Sequence, residues 1–147
     1  MDGVLFVADA VEQRVTAFNA VATCWDVLQI GGSDATEYFD GRLLNHPVAL
    51  CACEVTHRLF VCDAKDARVL VFRVSADETD ETNETESGES RRRRCTFEMT
   101  IGRPGTAAEE ELDWPQGVAV SSDGTEVFVA DSGRHRVVVY IGHRVAC

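Results

Sequence analysis

Three stretches of the chain share one pattern of apolar and polar positions. Each has an aliphatic residue, Phe, Val, a small residue and Asp, then four linker residues, then Arg, Val and a run that ends in an aromatic residue. Such β-branched and aromatic runs favour strands, and a short linker between two of them predicts a β-hairpin. The Asp and Arg positions are Asp9 and Arg14, Asp63 and Arg68, and Asp131 and Arg136. Three hairpins in one register predict a repeat protein.

The repeat unit extends beyond the hairpin on both sides. Pro47 and Pro115 each lie sixteen residues before the Asp of their copy, and an apolar run follows each proline. Ile30 and Ile101, each followed by Gly, close the first two copies. The unit therefore predicts four strands: a (after Pro), b (ending in Asp), c (starting at Arg) and d (ending in Ile-Gly). The first copy lacks strand a and the third lacks most of strand d, which predicts ten strands.

The third copy resembles an NHL repeat, the blade unit of NHL-type β-propellers. Residues 114–120 (WPQGVAV) and 127–137 (VFVADSGRHRV) carry the resemblance. It implies an all-β fold of antiparallel four-stranded blades, expected at residues 3–31, 44–102 and 112–147. A propeller closes with typically about 4–8 blades. Two and a half blades therefore predict an incomplete ring, and a fragment of a longer protein is favoured over completion by oligomerisation.

Charge and cysteine content narrow the function classes. The net charge of −11 opposes binding to a phosphate backbone, which needs clustered Lys and Arg. No apolar run is long enough for a membrane-spanning helix, so no membrane partner is expected. Cys51, Cys53 and Cys62 occupy slots that Ala or Ser holds in the third copy, which predicts small buried side chains rather than zinc ligands. A reduced, cytosolic environment is the corresponding expectation, and no cofactor is expected.

Residues 75–94 lie outside the repeat. Seven acidic residues alternate there with Ser and Thr, and four consecutive arginines follow. A stretch so dominated by charged and polar residues cannot form a core, so it predicts a disordered loop between strands c and d. The loop is either a tolerated surface insertion or a regulatory segment with phosphorylation sites. The candidate phosphoacceptors are Thr79, Thr82, Thr85 and Ser87.

Strands in one blade alternate in direction, so the b–c turns and the d–a crossings share one end of the blades. Each Asp–Arg pair is expected to face across the hairpin at this end. One interpretation is structural, with Asp accepting N–H groups of its own turn. The other is a polar binding surface, with aromatic residues of the crossings as anchors. The candidate binding residues are Asp9, Arg14, Tyr38, Phe39, Asp63, Arg68, Trp114, Asp131 and Arg136.

Two main classes of function follow. The first is a non-catalytic platform that binds a protein partner. The second, implied by the resemblance, is part of an enzyme similar to the NHL-type amidating lyase or a metal-dependent hydrolase. Such enzymes draw metal ligands from several blades, whereas the strand a runs at residues 48–52 and 118–121 offer almost none, which favours the platform. RNA binding, which the resemblance also allows, is weaker because of the acidity. No catalytic, metal or cofactor residue is assigned.

Overall fold

The structure, a computed structural model, describes residues 3–19, 28–31, 44–76, 93–102, 111–142 and 144–145. These residues contain eleven strands and no α-helix, which confirms the predicted all-β class. The strands are β1 (Val4–Asp9), β2 (Arg14–Asn19), β3 (Leu28–Gly31), β4 (Pro47–Cys53), β5 (Arg58–Asp63), β6 (Arg68–Ala76), β7 (Arg93–Ile101), β8 (Pro115–Val120), β9 (Glu126–Asp131), β10 (Arg136–Ile141) and β11 (Arg144–Val145). The described part of the chain has no helix with the length and apolar character needed to cross a membrane.

The strands form three antiparallel sheets, one for each copy of the repeat, as in a partial β-propeller. The sheets have the orders β1-β2-β3, β4-β5-β6-β7 and β8-β9-β10-β11, and we call them blades one, two and three. Blade one consists of strands b, c and d. The predicted count of ten strands is wrong by one, because the two-residue β11 pairs with β10 as a fourth strand of blade three.

The hairpins have the register that the repeat predicts, with Asp directly opposite Arg in each blade. The linkers are more regular than a polar loop. Ala64–Asp66 and Ser132–Arg134 each form one turn of 3-10 helix. All three linkers end on a residue with left-handed backbone: Gln13, Ala67 and His135, with φ of 55°, 50° and 51°. None of these is glycine, so one backbone shape is kept with three different side chains.

Strand a begins at its proline in both complete copies. Pro47 pairs with Asp63, and Pro115 pairs with Asp131. Proline cannot donate a hydrogen bond to the ladder, so the first position of a strand suits it. One extra residue follows each proline before Ala49 and Gly117 resume the register, which is a β-bulge. The same irregularity in two blades shows that it belongs to the repeat.

The core lies between the blades. Alternate residues of β5 face opposite neighbours: Leu59 and Val61 pack with Val15 and Ile30 of blade one, and Phe60 packs toward blade three. Phe60 belongs to a second buried cluster, between blades two and three. Its other members include Cys62, Val69, Val71, Leu112, Val127, Val129 and Tyr140. Burial of each such side chain contributes roughly 1.5–3 kcal/mol. The hairpin of blade two is therefore apolar on both sides because both sides are covered.

The strands reach further into the acidic segment than expected. Ser75 pairs with Arg94, and Ala76 with Arg93, so both ends of residues 75–94 are strand. The remainder of that segment lies outside the described residues, and so do the phosphoacceptor candidates Thr79, Thr82, Thr85 and Ser87.

Candidate functional site

Blade two buries its Asp–Arg pair completely. The Asp63 carboxylate is inaccessible to solvent, and its Oδ2 accepts hydrogen bonds from Nε and Nη2 of Arg68 at 3.1 and 2.9 Å. Its Oδ1 accepts the backbone N–H groups of Asn45 and His46 at 3.0 and 2.7 Å. Those donors lie in the segment just before strand a. The carboxylate therefore ties the b–c hairpin to the entry of its own blade.

Blade three repeats this arrangement. Oδ2 of the buried Asp131 accepts from Arg136 Nε at 2.8 Å, and Oδ1 accepts from the backbone N–H of Asp113 at 2.5 Å. The Gly133 N–H donates in turn to the Asp113 carbonyl at 2.8 Å. Arg136 Nη2 also donates to the Glu111 carbonyl at 2.5 Å. Again the hairpin and the segment before strand a are held together by one carboxylate.

Blade one differs from the other two. Asp9 Oδ1 accepts from the N–H groups of its own turn, Val11 at 3.1 Å and Glu12 at 2.9 Å. The distance between Asp9 Oδ2 and Arg14 Nε is 3.9 Å, and the two side chains are 36 % and 38 % exposed. The Arg14 Nε atom is buried, yet no acceptor among the described residues bonds to it. The described residues of blade one form strands b, c and d, and no N–H group of a preceding segment is seen among them to donate to the Asp9 carboxylate.

These contacts correct the structural interpretation of the pairs. A carboxylate that accepts its own turn N–H groups is found for Asp9 only. For Asp63 and Asp131 the donors lie seventeen or eighteen residues earlier in the chain. A buried charge needs full hydrogen bonding to be tolerated, and these two have it. Each of these carboxylates connects the b–c hairpin to the segment before strand a.

Two rings meet at the b–c end of the blades. His46 and Trp114 occupy the same slot before proline in neighbouring blades, and their ring centroids are 5.7 Å apart at an interplanar angle of 37°. Trp114 is 39 % exposed, and its backbone is left-handed with φ of 54°. A bulky residue rarely adopts this conformation unless the surroundings impose it. The backbone beside it is fixed through the Asp113 contacts to blade three.

A leucine two residues before each of these rings anchors the segment on the preceding blade. Leu44 and Leu112 are buried, and they cover the glycines that end strand d, Gly31 and Gly102. A Cβ on Gly102 would lie 2.5 Å from Leu112 Cδ1. Both glycines also have left-handed backbone, with φ of 77° and 71°. Only glycine meets both requirements.

Ion pairs extend this end of blade three. Arg134 donates to the Glu111 carbonyl at 2.8 Å and to its carboxylate. The hydrogen bond with Glu111 raises the pKa of Arg134 above its ordinary value, and the nearby carboxylates act in the same direction. In blade two, Asp66 accepts from Asn45 Nδ2 at 2.8 Å and pairs with Arg68 at 3.0 Å. The polar groups at this end are largely engaged with one another.

The family model of the NHL repeat matches residues 112–140. This chain carries an NHL repeat. The match spans strand a through strand c of blade three, including Trp114, Asp131 and Arg136. None of the curated proteins matches the chain. NHL repeats form propeller-type domains, and the three antiparallel sheets seen here agree with that architecture. Such domains are often used for protein interaction.

The remaining candidate residues lie in blades one and two or outside the described part of the chain. The Asp–Arg pairs of all three blades lie at the b–c end, as predicted, and Trp114 lies beside them. Tyr38 and Phe39 fall outside the described residues. His46 was not among the candidates; the slot before proline that it shares with Trp114 of the next blade is the sequence signal that could have found it. Within the described residues, no group of His, Cys, Asp or Glu is arranged to hold a metal ion.

The cysteines of the described residues are free thiols. Cys53, Cys62 and Cys95 are buried and Cys51 is partly buried. For Cys51, Cys53 and Cys62 this agrees with the small core side chains predicted from the repeat. Burial raises the pKa of the Cys62 thiol to about 12, and the adjacent Asp63 carboxylate adds to the effect. Burial also raises the pKa of Cys51. Neither thiol is poised as a nucleophile, because the reactive form is the thiolate.

Proposed function

We propose that the chain is a non-catalytic platform that binds a protein partner through the b–c end of its blades. The observation that carries the proposal is the His46–Trp114 ring pair. Trp is enriched among the residues that dominate binding energy at interfaces, because it buries a large area at a small entropic cost. Here the Trp114 ring is partly exposed. The buried Asp63 carboxylate holds the backbone of His46, and the buried Asp131 carboxylate holds the backbone of Asp113, next to Trp114. A rigid aromatic anchor loses little freedom on binding.

The surroundings supply the polar rim that such an anchor needs. Lys65, His135 and Gly133 are exposed in the b–c turns, and Asp113 is exposed beside the tryptophan. Tyr38 and Phe39, which lie outside the described residues, stay predicted members of this surface. Asp9, Arg14, Asp63, Arg68, Asp131 and Arg136 contribute mainly by shaping the turns.

The proposal is tested with the full-length chain carrying a photo-crosslinking amino acid in place of His135. In the same experiment, Val55 serves as the control position, since it is 68 % exposed but lies in the a–b turn at the opposite end. We expect a discrete protein adduct from position 135 and none from position 55. Trp114→Ala with His46→Ala should abolish the adduct without lowering the melting temperature by more than a few degrees. Adducts of RNA, or equal capture at both positions, would contradict the proposal.

A further inference from the structure

We propose that Thr96 is a phosphorylation site for a protein kinase that selects acceptors preceded by arginines, and that Arg73 pairs with the phosphate group. Thr96 is the fourth residue of β7, the outer strand of blade two. It differs from the candidates of the acidic segment, which are surrounded by carboxylates. This inference goes beyond the platform proposed above, because it concerns a covalent modification at the opposite end of the blade. Neither proposal requires the other.

The first observation is the charge pattern before Thr96. Arg93 and Arg94 stand three and two residues before it, and Cys95 separates them from the acceptor. Kinases discriminate among substrates by complementary charge, and one class binds arginines at these two positions with carboxylates. A guanidinium and a carboxylate form two parallel hydrogen bonds, which fixes the register of the bound substrate. In this register Thr96 is the residue presented to the nucleotide.

The second observation is that Thr96 is accessible. It is exposed, whereas Cys95 before it is buried. A kinase binds its substrate as an extended segment, and a strand that is paired on one side only, as β7 is in the described sheets, already has an extended backbone. The ladder of β6 and β7 ends three residues before Thr96, at the pair of Ala76 and Arg93. The end of a ladder opens at a lower free energy than the whole fold, so the residues around Thr96 can enter a kinase cleft while the rest of the blade stays folded.

The third observation is the residue that faces Thr96. Arg73 on β6 lies directly opposite it. Directly opposed side chains of an antiparallel pair lie on one face of the sheet, with Cβ atoms about 4.5–5.5 Å apart. The Arg73 side chain is 53 % exposed, and Arg58 on β5 lies opposite it in turn. Two guanidinium groups therefore belong to the face of the sheet that carries the Thr96 side chain.

Glu98 shows that these guanidinium groups bind an oxyanion. Its carboxylate accepts from Arg58 Nε and from Arg73 Nε, each at 2.6 Å. A phosphate group on Thr96 carries about −1.5 to −2 charges and three strong acceptor oxygens, more than one carboxylate offers. A guanidinium has five donors, so Arg73 has further N–H groups besides its Nε. Phosphorylation therefore adds a second anion to a site that already contains its counter-ions.

The reaction is an ordinary phosphoryl transfer from ATP, which the kinase binds. The Thr96 hydroxyl oxygen attacks the γ-phosphorus, and the bond from that phosphorus to the β-phosphate oxygen breaks, so that ADP leaves. The hydroxyl proton goes to the catalytic aspartate of the kinase. This chain supplies the acceptor and the arginines that select it.

The test uses the full 147-residue chain, the catalytic subunit of cyclic-AMP-dependent protein kinase and labelled ATP. We expect one phosphate per native chain, assigned to Thr96 by mass mapping of peptides. Thr96→Val, which keeps a β-branched residue in the strand, should abolish incorporation. Thr100→Val is the matched control, because no arginine lies two or three residues before Thr100, and it should be phosphorylated like the parent chain. Arg93→Gln with Arg94→Gln should slow the reaction by at least about tenfold, the value of one charge-assisted hydrogen bond.

A ³¹P NMR titration of the phosphorylated chain tests the pairing with Arg73. Nearby guanidinium groups favour the phosphate dianion, so its second pKa should lie about 0.5 lower in the native chain than in the same chain unfolded in urea. Arg73→Gln should remove most of this difference and leave the rate of phosphorylation unchanged.

Four outcomes would overturn the kinase site: no incorporation into the native chain, incorporation only after unfolding, a phosphate on another residue, or an unchanged rate for the double arginine variant. Equal pKa values in the native and unfolded chain would overturn the pairing with Arg73.

Discussion

Blades one and two carry the same hairpin in different surroundings. Leu5 and Val7 of blade one are 58 % and 41 % exposed, whereas Leu59 and Val61, at the same repeat positions, are fully buried. The residues are identical in type, so the difference comes from what covers them. Blade two has blade one on that side, and blade one has no described neighbour there. Burial in this molecule is a property of the position in the stack of blades, as expected for repeat proteins.

The same contrast holds for the charged pairs. Asp63 is buried with every oxygen engaged, and Asp9 is partly exposed and turned to its own linker. Where strand a and the segment before it are present, they bury the ion pair, and the carboxylate connects the hairpin to that segment. The same sequence element therefore contributes differently to the free energy of unfolding in different blades. Substitutions at equivalent positions measure that difference.

The largest contrast is expected from the apolar positions. Leu59→Ala should lower the free energy of unfolding by about 4 kcal/mol, because it leaves a cavity in a closed core. Leu5→Ala, the matched change in blade one, should alter it by less than about 0.5 kcal/mol. Urea denaturation of both variants provides the measurement. Equal losses would mean that blade one is covered in solution.

The charged pairs should show the next largest contrast. Asp63→Asn places an amide N–H₂ against the donors of buried Arg68, and we expect a loss of roughly 3 kcal/mol. Asp9→Asn should cost below about 1 kcal/mol, as for exposed ion pairs. Thermal unfolding at neutral pH compares them. A large effect of Asp9→Asn on the chain alone would show that its pair is as closed as that of blade two.

Blade two also contains an ionic bridge across three strands. Arg58 and Arg73 lie directly opposite each other, and Glu98 on β7 accepts from both at 2.6 Å. Burial alone would raise the pKa of Glu98, but the hydrogen bonds from the two arginines outweigh it and hold the pKa below its ordinary value. A lowered folded-state pKa stabilises the fold above the unfolded value of about 4.3.

Glu98→Gln should therefore destabilise the chain by about 1 kcal/mol at pH 7. The difference from the parent chain should shrink as the pH falls from about 4.3 through the lower folded pKa, because protonation then removes the same charge. Chemical denaturation at a series of pH values measures this, with Glu12→Gln in the exposed turn of blade one as control. A difference that stays constant down to acidic pH would rule out the charge as its origin.

The smallest expected effect is a difference in alkylation rate between two cysteine thiols. Cys62 stands where blade one has Ala8, and its thiol, with a pKa of about 12, should resist alkylation in the native chain at pH 8. Cys51, on the partly exposed strand a, should react first. Peptide mapping after timed alkylation distinguishes the two, and both should react alike in denaturant. Fast native modification of Cys62 would indicate that blade two opens readily.

Much of this architecture could be predicted from the sequence, because equal residue spacings in the copies of the repeat indicate which strands pair and in which register. The equal Asp-to-Arg spacing fixed the three hairpins, and the shared prolines located strand a. The partners of Asp63 and Asp131 could not be predicted in the same way. Side-chain preferences suggest a local turn, and the actual donors, seventeen or eighteen residues away, are brought near only by folding. The strand pairing of Ser75 and Ala76 was missed because composition alone cannot show where a ladder ends.

The site was partly predictable for the same reason. Trp114 was predicted as a residue of the crossing before strand a, whereas its contact with His46 was not predicted and became visible only in the structure. The binding roles of Tyr38, Phe39 and the Asp–Arg pairs stay predictions, as does modification of the acidic segment. Those roles depend on a partner, and internal repetition carries information about the scaffold only.

The left-handed residue that ends each b–c linker gives the repeat room for diversification. Gln13, Ala67 and His135 share one backbone conformation and differ in size, polarity and charge. The turn therefore does not depend on the side chain at this position. Each blade places one such residue at the end that we propose for binding. Selection, or a combinatorial library, can alter recognition at these three positions while the framework stays constant, much as variable loops diversify on a fixed scaffold.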